Sequence, residues 1–318
     1  MEVNTEIKKA TDAIYQKVSK TIPEIEWAIH APYIYKINKL KKEKNAVILA
    51  HNYQTPEIYH GISDFSADSL ALAIEAAKTK ADIIVMCGVH FMAETAKLMS
   101  PEKKVLLPDM NAGCSLSSSI TGNDVRNLKK KYPGVPVVSY VNTSAEVKAE
   151  TDVCCTSANA VKIVESAPKD RPILFVPDQN LGSWVMERTG RKMDLWQGSC
   201  YVHVEYTRES ILKIKEEHPQ AELISHPECT YAVRMLSDEV CSTEKMIDYA
   251  RNSKSKDLII ATENGMLHRL KKEVPDKNFI PAPTQNCACS ECHFMKMNTL
   301  EKLRDCLDTL EPEIILPE

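Results

Sequence analysis

The chain has 318 residues, of which 43% are hydrophobic and 26% charged, a composition typical of a globular protein with a large buried core. Its net charge is −4 and its pI about 6.2, which excludes the broad basic surface that proteins use to hold nucleic acid. The N-terminus has no apolar signal region, and no run of apolar residues is long enough to cross a membrane. These features predict a cytoplasmic protein that binds neither membrane nor nucleic acid.

Cysteine is unusually frequent, with eleven residues in the chain. Because the cytosol keeps thiols reduced, this number indicates metal binding or catalysis more than a framework of disulfides.

One pattern occurs three times along the chain. It consists of a Lys-rich amphipathic helix, a short break, a β-branched apolar run and an abrupt polar cluster. The helical patterns begin at Ile37, Val125 and Ile211. The polar clusters, spaced by 89 and 86 residues, are "HNYQ" from His51, "YVNT" from Tyr140 and "HPEC" from His226.

Two further segments recur inside each copy, and both have the form of a strand followed by a small or polar turn. Strands that alternate with helices predict parallel sheets built from βαβ units. The first set of matches is 81–88, 151–160 and 237–246. The second is "KKVLLPDMNAG" (103–113), "RPILFVPDQNLG" (171–182) and "DLIIATENGML" (257–267).

The predicted fold is therefore α/β, with three homologous small domains that have parallel three-stranded sheets and surround a pseudo-threefold axis. The predicted boundaries are 1–122 for an N-terminal helix and the first repeat, 123–208 for the second, and 209–318 for the third with a C-terminal helix. Ligands of parallel α/β units gather beyond the carboxyl ends of the strands. Around such an axis, the three polar clusters converge on one pocket.

One cysteine in each copy lies at a similar distance from the start of the polar cluster. Cys114, Cys200 and Cys292 follow His51, Tyr140 and His226 by 63, 60 and 66 residues. Three thiolates that meet on an axis suit an iron–sulfur cluster, because soft sulfur ligands favour iron–sulfur or zinc sites. With only three protein ligands, one iron keeps an open position and can act as a Lewis acid.

The segment "CACSEC" leaves an alternative open. Cys287, Cys289, Cys292 and His293 could form a local zinc site, although their spacing departs from the usual pairs of zinc ligands. Cys287 and Cys289 could also be bystanders, or a disulfide between Cys289 and Cys292 could act as a redox switch.

Many separate motifs, in order along the chain, resemble the quinolinate synthase family. They include "ILAHNYQ", "GVHFMAETAK", "NAGCS", "YVNTSAE", "PDQNLG", "CYVH", "HPEC" and "CHFMKMNTL". The resemblance runs from about residue 30 to the C-terminus. It implies an enzyme of de novo NAD biosynthesis that condenses iminoaspartate with dihydroxyacetone phosphate to quinolinate. It also implies a [4Fe-4S] cluster and supply of iminoaspartate by L-aspartate oxidase, while a homodimer remains an option.

The resemblance assigns roles to residues of this chain. The cluster ligands are Cys114, Cys200 and Cys292. The catalytic residues are Glu228 as general base, Tyr53 and His226 as proton relays, and Tyr140 beside the open iron. The residues that hold carboxylates and phosphate, helped by helix N-termini, are His51, Ser69, Asn142, Ser157, His203, Ser242 and Thr243.

One position departs from the family pattern. Glu244 stands where the family has the glycine of an "STG" turn, and a carboxylate beside an anion site is unexpected. Two other functions remain as alternatives, a redox sensor that carries a cluster and a zinc-dependent hydrolase. The constellation of His, Tyr, Glu and Ser argues against the sensor, and the absence of a hydrolase motif argues against the second.

Overall fold

Helices and strands alternate along the chain in a computed structural model, which describes residues 4–284 and 290–316. The helices are α1 (Thr5–Val18), α2 (Glu24–Glu43), α3 (Pro56–Gly61), α4 (Ser69–Lys78), α5 (His90–Met99), α6 (Gly122–Lys131), α7 (Ala145–Ala149), α8 (Ala160–Ser166), α9 (Gln179–Thr189), α10 (Tyr201–Val204), α11 (Arg208–Glu217), α12 (Tyr231–Arg234), α13 (Thr243–Asn252), α14 (Gly265–Glu273), α15 (His293–Lys296) and α16 (Leu300–Thr309). The strands are β1 (Ala46–His51), β2 (Phe65–Ala67), β3 (Ile83–Cys87), β4 (Lys104–Leu106), β5 (Val137–Tyr140), β6 (Val153–Cys155), β7 (Ile173–Val176), β8 (Met193–Leu195), β9 (Glu222–Ser225), β10 (Glu239–Val240), β11 (Asp257–Ala261) and β12 (Asn278–Pro281). Within the described residues, no helix combines the length and the apolar character that crossing a bilayer requires.

The strands form three sheets of one design. Each has four parallel strands, in the orders β2-β1-β3-β4, β6-β5-β7-β8 and β10-β9-β11-β12. In every sheet the chain starts at an inner strand, moves to the edge, and then crosses back to the other side. The prediction of three α/β repeats with parallel sheets is confirmed, with four strands in each sheet instead of three.

An aspartate in each repeat fixes the register between its first two strands. Asp64, Asp152 and Asp238 each stand one residue before the second strand. Their carboxylates accept hydrogen bonds from first-strand amides, those of Ile48, Val137 and Leu223, at 2.8, 2.8 and 2.7 Å. The same contact at the same place in each repeat is strong structural evidence that the repeats are homologous.

This register shows that the internal matches taken from the sequence paired the wrong strands. Residues 81–88 contain β3, which is equivalent to β7 and β11, not to β6 and β10. The true equivalent of β6 and β10 is β2, whose three residues are too few to show strand periodicity. Residues 103–113 likewise contain β4, a fourth strand, although they resemble the segment of β7.

By compactness the chain divides into two units, Met1–Gly113 with His293–Glu318, and Cys114–Cys292. The first unit contains the first sheet and the second unit contains the other two. The core of the first unit includes Ile34 and Ile37 of α2 together with Leu303 and Leu307 of α16. The C-terminal helix therefore packs with the first sheet, although it follows the third repeat in the chain. The boundaries at 122 and 208 and the threefold arrangement stay predictions.

We predict that Asp152→Ala lowers the free energy of unfolding by about 1–2 kcal/mol, because the Val137 amide loses its charged acceptor. Urea denaturation followed by circular dichroism measures the change. Asp170→Ala is the matched control, since Asp170 is exposed and its side chain pairs with Arg171 next to it. Equal stability of the two variants would contradict a structural role for Asp152.

Candidate active site and metal centre

The predicted site residues lie at equivalent positions where the first strands end. The aspartates of the three repeats bind the amides of Ile48, Val137 and Leu223. The residues at the same distance after these amides are His51, Tyr140 and His226, so the three share one register. Two residues later stand Tyr53, Asn142 and Glu228. In two of the repeats the local geometry is also the same, because the amides of Tyr53 and Glu228 each donate to the preceding histidine Nδ1 at 3.3 Å.

In the second unit, Glu228 lies at the centre of a buried polar network. The Tyr140 hydroxyl donates to Glu228 Oε1 at 2.6 Å, and His203 Nδ1 lies 3.1 Å from Oε2. The same His203 nitrogen lies 3.2 Å from Cys200 Sγ, and Nε2 lies 3.0 Å from Thr262 Oγ1. Glu228 is 4% exposed and His203 2%, so water contributes little to their solvation.

The surroundings of Glu228 favour its charged form. Burial alone would raise the pKa of this carboxyl, because a low dielectric disfavours charge. The His203 ring and the hydrogen bonds from His203 and Tyr140 outweigh burial and hold the pKa below its usual range. Glu228 is therefore a carboxylate at neutral pH.

His226 is held in the neutral form. Burial is the main cause and lowers the pKa of His226 to about 4, against the opposing attraction of Glu228. Its Nδ1 accepts from the Glu228 amide, so Nε2 carries the hydrogen and faces Ser157 Oγ at 3.3 Å. The 3.7 Å approach of Nδ1 to Glu228 Oε1 is consequently a contact and not an ion pair.

The three cysteines singled out by spacing follow the fourth strands of their repeats, and all belong to the second unit. Burial raises the pKa of the Cys114 thiol to about 12, and the negative charges of Glu228 and Cys292 add to this effect. Burial also raises the pKa of Cys200 well above its usual value, with further contributions from Glu228, Cys114 and Cys292.

Another group of atoms here has the arrangement of metal ligands. Cys200 Sγ, a ring nitrogen of His203 and a carboxylate oxygen of Glu228 lie within 4.8 Å of one another. Together with Cys114 and Cys292, they make this part of the second unit rich in thiol and imidazole donors, with one carboxylate. Cys287 and Cys289 lie outside the described residues, so the local zinc site and the disulfide switch stay predictions.

Two of the second unit's predicted substrate-binding residues have a buried polar atom without a hydrogen-bond partner among the described residues. Asn142 Oδ1 and Ser242 Oγ are buried and make no hydrogen bond with the described residues. Thr243 is the first residue of α13 and is 5% exposed. The neighbouring Glu244 is held by Arg269 in a bidentate ion pair at 2.6 and 2.8 Å. A cation therefore compensates the carboxylate that replaces the family glycine.

In the first unit, the turn that follows β1 is fixed from the C-terminal segment. The His51 and Tyr53 rings meet edge to face, with centroids 4.6 Å apart. Gln54 Nε2 donates to the Met295 carbonyl at 2.9 Å, and Lys296 Nζ donates to the Tyr53 carbonyl. Ser69, the third predicted residue of this unit, is the first residue of α4.

Sequence reasoning missed three residues that position the site. Ser115 Oγ donates to the Ser199 carbonyl at 3.1 Å and accepts from the Tyr201 amide at 3.2 Å, so it binds both sides of Cys200. Glu263 is fully buried and accepts from the Cys292 amide at 3.0 Å. The third is Thr262, the partner of His203. Thr262 and Glu263 directly follow β11, and polar residues after a buried strand are the signal that could have revealed them.

Comparisons with known proteins agree on one family. The profile of the quinolinate synthetase A protein family matches residues 35–318. Among curated proteins, the quinolinate synthases of Rippkaea orientalis and Trichormus variabilis are 53% and 54% identical over 283 residues, which are 89% of this chain and 87% of theirs. The quinolinate synthase of Nostoc punctiforme is 50% identical over 309 residues, 97% of this chain and 94% of that protein.

We predict that His226 is neutral at pH 6 in the metal-free protein, where an ordinary histidine is mostly charged. ¹⁵N NMR of histidine-labelled protein distinguishes the two forms, and His226→Gln assigns the resonance. Because the folded pKa is lower than the unfolded one, the stability from this site is complete above pH ~6.5 and is lost as the pH falls towards 4. A titration midpoint near 6.5 would contradict the assignment.

Proposed function

The chain belongs to the quinolinate synthase family, and we propose that it condenses iminoaspartate with dihydroxyacetone phosphate to quinolinate, with loss of phosphate and two waters. In this role it is an enzyme of de novo NAD biosynthesis. The observation that carries the proposal is the buried Glu228 carboxylate, in contact with a phenol and an imidazole and adjacent to the Cys200 thiol through His203.

Closing a pyridine ring requires deprotonation at carbon and the loss of two hydroxyl groups as water. Glu228 is the proposed general base, because it is ionised and shielded from water. A carboxylate with a lowered pKa is a weak base while Tyr140 and His203 donate to it. A substrate that displaces the Tyr140 hydroxyl would remove one of these hydrogen bonds and strengthen the base. Tyr140 is then free to donate to a substrate oxygen.

His226 can relay protons without becoming charged. Its Nε2 hydrogen points to Ser157 Oγ, and its unprotonated Nδ1 lies on the side of Glu228. A proton that enters at Nδ1 can thus be matched by one that leaves from Nε2. Tyr53 and His51 of the first unit retain the relay and binding roles that the family resemblance implies.

The anionic ends of the substrates need donors that burial has left without partners. The Ser242 hydroxyl is such a donor, whereas the unpartnered atom of Asn142 is the acceptor Oδ1, which suits a substrate hydroxyl. Ser69, Ser157 and Thr243 lie at or near the first turn of a helix, where backbone amides favour anions. The ion pair of Glu244 with Arg269 removes the repulsion that this carboxylate would otherwise exert.

Cys114, Cys200 and Cys292 would hold a [4Fe-4S] cluster. Their donor set fits, because buried thiols that resist ionisation are deprotonated when a metal supplies the compensating charge. When bound, a cluster with three protein ligands supplies an iron with an open position that serves as a Lewis acid. The competing arrangement is a single ion held by Cys200, His203 and Glu228.

The proposed reaction also implies a source for one substrate and a location for the enzyme. Iminoaspartate is expected from L-aspartate oxidase, and the cytoplasm is the proposed location.

We predict that Cys114→Ser, Cys200→Ser and Cys292→Ser each abolish iron binding and the broad absorption near ~400 nm after anaerobic reconstitution. Cys229→Ser is the control, because Cys229 is fully buried and its thiol donates to the Ala261 carbonyl. Iron analysis and absorption spectra measure the outcome. Retention of iron by Cys114→Ser, together with its loss in His203→Ala, would instead support the single-ion site.

Glu228→Gln is expected to bind iron normally and to lower turnover by about 10²–10⁴-fold, the usual effect of removing a general base. Quinolinate formation from iminoaspartate and dihydroxyacetone phosphate is the assay. Glu217→Gln, which changes an exposed carboxylate at the end of α11, should keep wild-type turnover. Equal turnover of the two variants would exclude Glu228 as the base.

A further inference from the structure

A cavity of about 380 Å³ lies in the second unit, at the edge of the candidate active site. Its walls come from the segment before α8 and from α8 itself, from α9, and from the turn between β10 and α13. We call it the cationic cavity, after Lys162, Arg188 and Lys245, which line it. Its volume is within the range of about 300–1,000 Å³ that is usual for small-molecule sites.

The charge of the cationic cavity is opposite to that of the whole chain. Three basic side chains line it against one acidic side chain, Glu239, whereas the chain as a whole carries a net charge of −4. Glu244, which directly follows the turn, forms its ion pair with Arg269 and does not line the cavity. A concave wall with an excess of one sign attracts ligands of the opposite sign, so this cavity favours anions.

Two buried donors in the wall have no partner within the part of the chain that the structure describes. Ser242 is 2% exposed, and neither its Oγ nor the buried Trp184 Nε1 makes a hydrogen bond there. A buried donor without an acceptor is costly, and natural proteins rarely keep one without a ligand or water to satisfy it. The Arg188 guanidinium lies 5.7 Å from the centre of the Trp184 ring, so a cation stands beside this donor.

The cavity is connected to the candidate active site through a single side chain. Ser157 lines the cavity, and its Oγ lies 3.3 Å from Nε2 of His226, which in turn contacts Glu228. An anion in the cavity would therefore be one side chain away from the proton relay.

From these observations we infer that the cationic cavity binds phosphate dianions, either as the free ion or as the phosphate group of a monoester. Its basic side chains supply attraction, and Ser242 and Trp184 supply the directed hydrogen bonds. A further part of this inference rests on the proposed function: the cavity admits dihydroxyacetone phosphate to the active site and releases the phosphate product. Binding of the free ion does not depend on that function.

The first test measures binding without turnover. Inorganic phosphate is titrated into the cluster-containing protein at low ionic strength, with calorimetry and tryptophan fluorescence as readouts. The Lys162→Gln/Lys245→Gln double variant should bind roughly tenfold more weakly or worse, since each cation contributes a screened ion pair. The matched control is Lys169→Gln/Lys192→Gln, which removes two exposed lysines that do not line the cavity. Trp184→Phe should abolish the phosphate-dependent fluorescence change.

Equal affinity in the two double variants, or an identical response to chloride at matched ionic strength, would overturn the site. A second arm separates the two sources of phosphate. If the cavity admits the substrate, kcat/KM for dihydroxyacetone phosphate falls roughly tenfold in Lys162→Gln/Lys245→Gln while kcat changes little. Unchanged kcat/KM would refute the route and leave a site for the free ion. Because phosphate binding is measured directly, a failure of the proposed reaction cannot be mistaken for a failure of the site.

Discussion

The second unit depends on the solvation of one buried carboxylate. Glu228 has almost no access to water, so its charge must be stabilised by donors from the protein. Tyr140 comes from the end of β5 and His203 from α10, whereas Glu228 itself lies just after β9. Stabilising the charge of Glu228 therefore requires the second and third repeats to pack in one defined arrangement. The same hydrogen bonds that solvate Glu228 thus fix the position of the groups proposed to act with it.

The repeats explain how such a site can form from a simple plan. The three aspartates that bind first-strand amides give each repeat the same register, and each first strand then delivers two side chains at the same place. The chemistry at these places has diverged. Equivalent positions carry Tyr53, Asn142 and Glu228, so one scaffold presents a phenol, an amide and a carboxylate. A common backbone geometry thus carries side chains with different proposed roles: Glu228 as the base, Tyr53 as a proton relay and Asn142 in substrate binding.

Sequence patterns predicted the repeats and the polar residues at the ends of strands, but they failed where contacts join distant segments. Glu228 and Tyr140 could be found because an apolar run ends abruptly at a polar cluster, a pattern that needs no knowledge of packing. Short edge strands such as β2 were missed, because three residues cannot show alternation. Apolar strands that occupy different positions in their repeats were matched with one another, because their sequences look alike. The pairing of Glu244 with Arg269 spans 25 residues and two helices, so the unexpected carboxylate could be explained only in three dimensions.

The thiols and the carboxylate cannot be treated as independent parts. The charge of Glu228 raises the pKa of both Cys114 and Cys200, so the residue proposed as a base also opposes ionisation of two proposed ligands. His203 stands between them, with Nδ1 within 3.2 Å of both Cys200 Sγ and Glu228 Oε2. Thiol ligands lose their protons when they bind a metal, so loading of these thiols would change the electrostatic field at Glu228. Occupancy of the thiols and the basicity of the carboxylate would therefore be linked, and His203 contacts both groups.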